Sequence, residues 1–360
     1  MDVESRFRLV IRDVEEVVTE DELRQLIESG GGKGYLGFEP SGIFHIGWLV
    51  WAFKFKDLVE AGFDMYLLAA TWHAWINDKF GGDMELIKAS AKHVVDVMNL
   101  LGLEGKFKLV YAEELVDNSK YWGTLLKCAK EVSLARVKRA LTIMGRTAEE
   151  AETDFSKLIY PLMQVTDIFE LDLDLALGGL DQRKAHMLAR DIAEKLGRKK
   201  IVAVHTPLIP SLQGPGRMEA GIGALSKDER LAQVKMSKSK PETAIFILDS
   251  DEEIRTKIRK AYCPPREVRD NPILSIAKHI IFRGEEREFV IDRPAKYGGP
   301  ITVWSYSELE KLYIDGKVHP LDLKNAVANY VIKLVAPIRE RVSRSNEVRK
   351  ILEFMRGQKK

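Results

Sequence analysis

This 360-residue sequence has only two cysteines, Cys128 and Cys263, and neither has a nearby cysteine or a metal-like spacing. That excludes a disulfide framework and fits a reducing compartment. No apolar run approaches the roughly 20 residues needed to span a bilayer. The opening stretch, MDVESRFRLVIRDVEEVVTEDELRQLIESG, is charged and helix-periodic and lacks the apolar core of a secretory signal. The formal net charge is only +2, so no overall basic bias announces a polyanion partner, and any nucleic-acid surface must be built locally by segregating charge. There is no internal repeat and no low-complexity segment. These absences describe a cytoplasmic globular protein with no membrane partner, too long for one simple core and read as about two or three domains.

Alternating strand and helix patterns are what the chain does have. Thr19 and Asp21 cap a helix that runs to Glu28, and the glycines at 30–32 stop it. Tyr35–Phe38 reads as a short buried strand, 46–61 as a helix ending at Gly62, and 63–70 as a second strand. A helix over 83–101 stops at Gly102, and 107–112 is a third strand. Strand and helix alternating at this spacing predict βαβ units and a parallel sheet. Residues 118–171 are helical with no strand, a helical insertion. Strands resume at 173–179 and 200–205 around a helix at 181–196.

The predicted fold is therefore α/β, a doubly wound Rossmann-like parallel sheet with a helical insertion, followed by a mainly α-helical domain. The expected divisions are an N-terminal helical segment (1–30), a Rossmann-type domain (31–205, insertion about 113–160), a loop and linker (206–249) and a helical domain (250–360). The linker is rich in Gly and Pro, which is loop chemistry, and long loops are often functional. Ser250 and Glu253 make a capping-box pattern, with further helices at 271–282, 306–315 and 320–343.

Two stretches carry chemistry. "PSGIFHIGW" (40–48) follows a strand and opens a helix, the place where open α/β sheets bind ligands and where free N–H groups face phosphate. Gly37, Gly42 and Gly47 admit close backbone approach, and His45 can donate to a phosphate oxygen. Alone, the stretch also reads as a tight turn with a surface histidine. "KMSKS" (235–239) places Lys235 and Lys238 three apart, able to clamp a polyphosphate; alone, it also reads as a solvated basic loop. It lacks the glycine frame of a P-loop.

Together, an "HIGH"-like turn after the first strand and a "KMSKS" loop after the last resemble the paired signatures of class I aminoacyl-tRNA synthetases. "YLGFEPSGIFHIG", "IYPLMQVTDIF", "GGLDQRKAH", "KMSKSKP", "AYCPPREV" and "HPLDLKNAV" are similar to tyrosyl-tRNA synthetases of the archaeal and eukaryotic type, over about residues 20 to 340. The resemblance implies an ATP-dependent tyrosine–tRNA ligase working with Mg²⁺ that accompanies ATP, with tRNA(Tyr) and L-tyrosine as partners, as a homodimer, with no protein-held metal site. It implies that Tyr35 and Asp167 hold the substrate phenol. Tyr160, Gln164 and Gln182 would hold the ammonium with Glu39 nearby, and His73 would form a pocket wall. His45, Lys235 and Lys238 would steady the ATP phosphates, and Gly37, Gly47, Gly179 and Asp181 would line the nucleotide. A phenol OH donates and accepts, which suits a carboxylate opposite a hydroxyl. Rejection of phenylalanine without editing is the known behaviour of tyrosyl-tRNA synthetases as a class, not something worked out from this chain.

For tRNA, the insertion holds Lys130, Arg136, Lys138, Arg139 and Arg146 against Glu131, which reads either as a solvated helix face or as an acceptor-stem contact. By the resemblance, Arg139 and Arg183 approach the first base pair and Asp322 reads the first anticodon base. Ile280 stands where some relatives have a stacking aromatic. Two residues depart from the family pattern: Trp48 replaces the second histidine of the signature, and Thr71 stands where close relatives often have Asp. Trp48 is expected to pack on the apolar run that follows it. Three rival readings are a tryptophanyl-tRNA synthetase, a non-enzymatic RNA-binding paralogue and another nucleotidyltransferase on the same scaffold. Tyr35, Glu39 and Asp167 argue against the first, the intact lysine loop and pocket against the second, and the basic C-terminal domain against the third.

Overall fold

The computed structural model describes residues 1–141, 154–214, 235–236 and 241–357. The chain divides into two compact units. One comprises residues 1–42, 51–206 and 346–360; the other comprises 43–50 and 207–345.

The first unit is built on a sheet of β1 (Glu16–Val18), β2 (Lys33–Phe38), β3 (Asp64–Ala69), β4 (Lys108–Tyr111), β5 (Leu175–Gly179) and β6 (Val202–Thr206). Among the described residues its order is β1-β6-β5-β2-β3-β4, with β2 to β6 parallel and β1 antiparallel on β6. β5 and β6 are buried along their whole length, as the near-continuous apolar runs of a parallel sheet require. The order reverses at β2, which pairs with β3 on one side and β5 on the other. A doubly wound sheet binds its ligands at that switch point.

The helices follow from the caps. In α1 (Val3–Ile11) Asp2 caps the Ser5 amide, and in α2 (Glu20–Glu28) Thr19 and Glu22 close a capping box. α3 (Leu49–Glu60), α4 (Thr71–Ile76) and α5 (Met84–Met98, capped by Asp83) connect β2, β3 and β4. Between β4 and β5 the described chain is helical: α6 (Ala112–Val116), α7 (Ser119–Lys130), α8 (Leu134–Ala140) and α9 (Ser156–Glu170). A core cluster runs from Tyr35 and Leu68 of the sheet through Tyr121, Leu125 and Cys128 of α7 to Met163 and Ile168 of α9. α10 (Arg183–Lys195) joins β5 to β6.

In the second unit, α11 (Asp251–Lys260) starts at the Ser250–Glu253 capping box, α12 (Pro272–Ile276) runs into a wide turn at 277–282, and β7 (Phe289–Ile291) pairs with β8 (Ile301–Val303). α13 (Tyr306–Ile314) and α14 (Pro320–Val342) follow, with α14 lying along α11. The β7–β8 hairpin and the β1 edge strand were not anticipated; three-residue strands carry too little pattern to be read. α15 (Asn346–Gly357) belongs to the first unit, where it packs along α5 with Val348 and Ile351 buried. The fold is the α/β, Rossmann-like one with a helical insertion and a mainly helical second part.

Candidate active site

The C-terminal ends of β2, β3 and β5 and one face of α9 bring a set of polar side chains together. Tyr35 lies within β2 and Glu39 just past its end, His73 is in α4 directly after β3, and Gln182 is in the single turn after β5. Tyr160, Gln164 and Asp167 are spaced four and three apart on α9, so they share one face.

Two sub-clusters result. Around Glu39, the Tyr160 hydroxyl donates to Oε2 at 3.1 Å, the Asn77 amide donates to both oxygens at 3.0 and 3.1 Å, and Lys79 Nζ stands 3.3 Å from Oε1. Near Tyr35, the Gln164 amide donates to Gln182 Oε1 at 3.2 Å. A carboxylate, a phenol and two amides offer oxygen acceptors of the kind that suit a cation.

Asp167 sits deeper, 2% exposed. Tyr121 of α7, itself 1% exposed, donates to its Oδ1 at 2.7 Å. His73 Nε2 lies 3.4 Å from Oδ2 without hydrogen-bond alignment, and its ring stands edge-on to Tyr160 at 4.8 Å. Burial pushes the Asp167 carboxyl up to about 7, and the Tyr121 hydrogen bond holds it from going higher. Burial lowers His73 to about 4, so at neutral pH it is an uncharged wall and not an ion-pair partner. The Tyr35 phenol is raised, first by burial and then by the Asp167 charge. Sequence reasoning missed Tyr121, because no local pattern tells which residue of a distant helix reaches Asp167.

The opening signature lies in the second unit. The turn before it is held by Ser90, whose buried hydroxyl accepts from the Gly42 amide and donates to the Gly42 carbonyl, both at 3.0 Å. His45 is buried and bridges Phe246 as an isolated β-pair; the Ile46 amide donates to the Ile245 carbonyl at 2.9 Å. Met236 hangs on the Ile209 carbonyl and Lys235 bridges Pro210. A Cβ on Gly47 would stand 3.0 Å from the His45 ring, a tight approach, and at an ordinary 3.7 Å from Met236 Cβ, so it is the His45 ring that favours glycine here. The two signatures thus meet locally at Gly47 and Met236, while Lys238 lies outside the described residues, as does Arg146. Trp48 is half-buried, edge-on to Phe44 at 5.4 Å and tilted on His45 at 5.4 Å.

Elsewhere, Gly37 is exposed at β2, Gly179 is buried at the end of β5, and Asp181 is half-buried beside it. The tightest glycine there is Gly178, where a Cβ would meet Gln182 at 2.9 Å and His186 at 3.0 Å. Thr71 donates to the Glu113 carboxylate at 2.6 Å. Arg183 forms a bidentate pair with Glu16, whose carboxyl is held down to about 2 by His205 first and Arg183 next; His205 in turn meets the buried His186 at 3.0 Å. Arg139 is exposed on α8, and Asp322 lies in the first turn of α14. Ile280 is 1% exposed and offers no face to a base, whereas Tyr297 and Trp304 on the same unit are exposed.

A family model for tRNA synthetases class I (W and Y) matches residues 32–336. The chain is 61% identical over 359 residues to the tyrosine–tRNA ligase of Aeropyrum pernix, covering 99% of this chain and 98% of that one. It is 56% identical over 349 residues to that of Sulfolobus acidocaldarius, covering 96% of each. Among solved structures it resembles the tyrosyl-tRNA synthetase of Aeropyrum pernix (TM-score 0.86, 55% identity, 99% of this chain, 100% of that one). It also resembles the Pyrococcus horikoshii enzyme complexed with L-tyrosine (TM-score 0.84, 44% identity, the same coverage).

Proposed function

The chain belongs to the class I tRNA synthetases of the tryptophan and tyrosine group, and on that premise we infer that it is a tyrosine–tRNA ligase. The carboxylate of L-tyrosine attacks the α-phosphorus of ATP, the bond to the bridging oxygen breaks, and pyrophosphate leaves with tyrosyl-AMP formed. A terminal adenosine hydroxyl of tRNA(Tyr) then attacks the tyrosyl carbonyl and AMP leaves. No protein nucleophile is used; positioning and charge placement supply the acceleration.

We propose roles for the site on this basis. Tyr35 and Asp167 hold the phenol, one hydroxyl and one carboxyl for a group that donates and accepts. Glu39, Tyr160, Gln164 and Gln182 hold the ammonium, with His73 an apolar wall at neutral pH. Gly37, Gly179 and Asp181 line the nucleotide, while His45, Gly47, Lys235 and Lys238 serve the phosphates, and Mg²⁺ arrives on ATP. Arg139, Arg183 and Asp322 contact tRNA, Arg183 from an orientation already fixed by Glu16. The portion 31–205 is the catalytic domain, 206–249 carries the lysine loop, and the helical part from 250 to 345 is the anticodon-binding domain, with α15 belonging to the first unit. Exposed Trp122, Leu126 and Leu134 on α7 and α8 favour a homodimer through that face. No described helix is long and apolar enough to cross a membrane; we place the protein in the cytoplasm because a tRNA ligase works where its tRNA is used.

The observation that carries the tyrosine reading is the buried Asp167 carboxyl on the face of α9 that also presents Gln164 to Tyr35. An indole N–H only donates and would leave one side of such a pair unsatisfied. Amino-acid-dependent ATP–pyrophosphate exchange tests it. Exchange with tyrosine and none with tryptophan is expected; the reverse makes the chain a tryptophan enzyme, and none with any amino acid removes the enzymatic reading.

A further inference from the structure

The loop that follows α4 is conformationally costly. Asp78, Phe80, Gly81 and Gly82 all have positive φ, at 57°, 54°, 65° and 81°. Two of these are not glycine, and left-handed backbone is unfavourable for L side chains. Such a turn persists only where its surroundings over-determine it.

Its side chains show what does so. Asp78 meets Lys157 Nζ of α9 at 3.0 Å. Lys79 reaches Glu39 Oε1 at 3.3 Å, and Asn77, immediately before the loop, donates to both Glu39 oxygens. The Phe80 ring stands edge-on to Phe354 of α15 at 5.5 Å and 67°. Directly after the loop, Asp83 caps α5, and α15 lies along α5 with Ile351 fully buried and Glu347 3.8 Å from Lys92. The loop is thus fixed by α9 at one end, by Glu39 in the middle and by α15 at Phe80.

We propose that α15 braces the 77–82 loop, so that Phe354 acts as a positioning residue for the Glu39 end of the amino-acid pocket. Phe354 touches no substrate group; it holds Phe80, the neighbour of Lys79. Lys79 and Asn77 in turn fix the direction of the Glu39 carboxylate. A carboxylate loose by an ångström binds an ammonium more weakly without altering the chemical step. The inference rests on the reading of Glu39 as an ammonium ligand.

Tyrosine-dependent pyrophosphate exchange by the full chain tests it with Phe354→Ala, Phe354→Tyr and Glu39→Gln. Phe354→Ala should raise the tyrosine KM about fivefold to tenfold, the scale of weakened charge-assisted hydrogen bonds. It should leave kcat, the ATP KM and the preference for tyrosine over phenylalanine within about twofold. Phe354→Tyr, which keeps the ring, should restore the KM. Lower thermal stability of Phe354→Ala with an unchanged tyrosine KM would overturn the brace, as would an equal loss in Phe354→Tyr. If Glu39→Gln leaves the tyrosine KM unchanged, the ammonium reading fails and the brace with it. If Glu39→Gln raises the KM and Phe354→Ala does not, only the brace fails.

Discussion

Replacing Tyr121 by Phe removes one oxygen from a fully buried site and leaves the ring's packing in place. That oxygen donates to Asp167 Oδ1 at 2.7 Å. A hydrogen bond to a charged group contributes about 1.5–3 kcal/mol, and it favours the ionised carboxylate over the acid. At 1.36 kcal/mol per pKa unit, losing it should raise the Asp167 pKa by about one to two units from its value near 7. Near pH 7 the ionised fraction would then fall from about one half to roughly one in ten or less. If the carboxylate is the acceptor for the substrate phenol, the tyrosine KM should rise by a similar factor at pH 7. It should return toward that of the unmodified protein by about pH 9. The assay is tyrosine-dependent pyrophosphate exchange with both proteins from pH 6 to 9, with phenylalanine as the competing substrate. A midpoint in the KM profile that is the same in both proteins would refute the reasoning, because a purely structural loss has no cause to shift with pH.

The raised Asp167 carboxyl also has a stability consequence: its folded pKa lies above the ordinary 3.8, so ionisation disfavours the fold progressively between about pH 4 and 7. Asp167→Asn should therefore raise the thermal midpoint at pH 8 and leave it unchanged near pH 4; a lower midpoint at pH 8 contradicts the burial argument. Glu16 works in the opposite sense, since its depressed pKa stabilises the fold above about pH 4.5 and that contribution is lost as pH falls toward 2. Glu16→Gln should accordingly lower the midpoint at pH 7, and an equal midpoint would show the His205–Glu16–Arg183 contacts to be neutral. Gly47→Ala puts a Cβ 3.0 Å from the His45 ring, so it should lower the rate of tyrosine activation by about 10-fold or more while tyrosine binding by calorimetry is retained; equal loss of both would mean the site has collapsed.

Elements with strong local signals were legible in the sequence. The apolar runs of β5 and β6 are buried along their whole length, and the Thr19 and Ser250 caps are written in three-residue spacings. Tyr160, Gln164 and Asp167 could be grouped because helical periodicity puts them on one face. What depended on tertiary packing was not legible. Tyr121 reaches Asp167 only because α7 lies on α9, and Phe354 reaches Phe80 only because α15 returns to α5. The ring contacts of Trp48 with Phe44 and His45 at the tight turn 46–48 are likewise tertiary detail that a hydrophobic run does not reveal. Ile280 stands where some relatives carry a stacking aromatic, and its burial agrees with its lacking that role.

The most direct test of the account is the preference for tyrosine over phenylalanine, measured as the ratio of kcat/KM in pyrophosphate exchange, for the unmodified protein and for Asp167→Ala. A site that hydrogen-bonds a substrate hydroxyl rejects the analogue lacking it by about 10⁴–10⁵, a range for which tyrosyl-tRNA synthetases are themselves the type case. The account predicts that Asp167→Ala loses most of that ratio, chiefly through tyrosine. An unchanged ratio in the variant would contradict it.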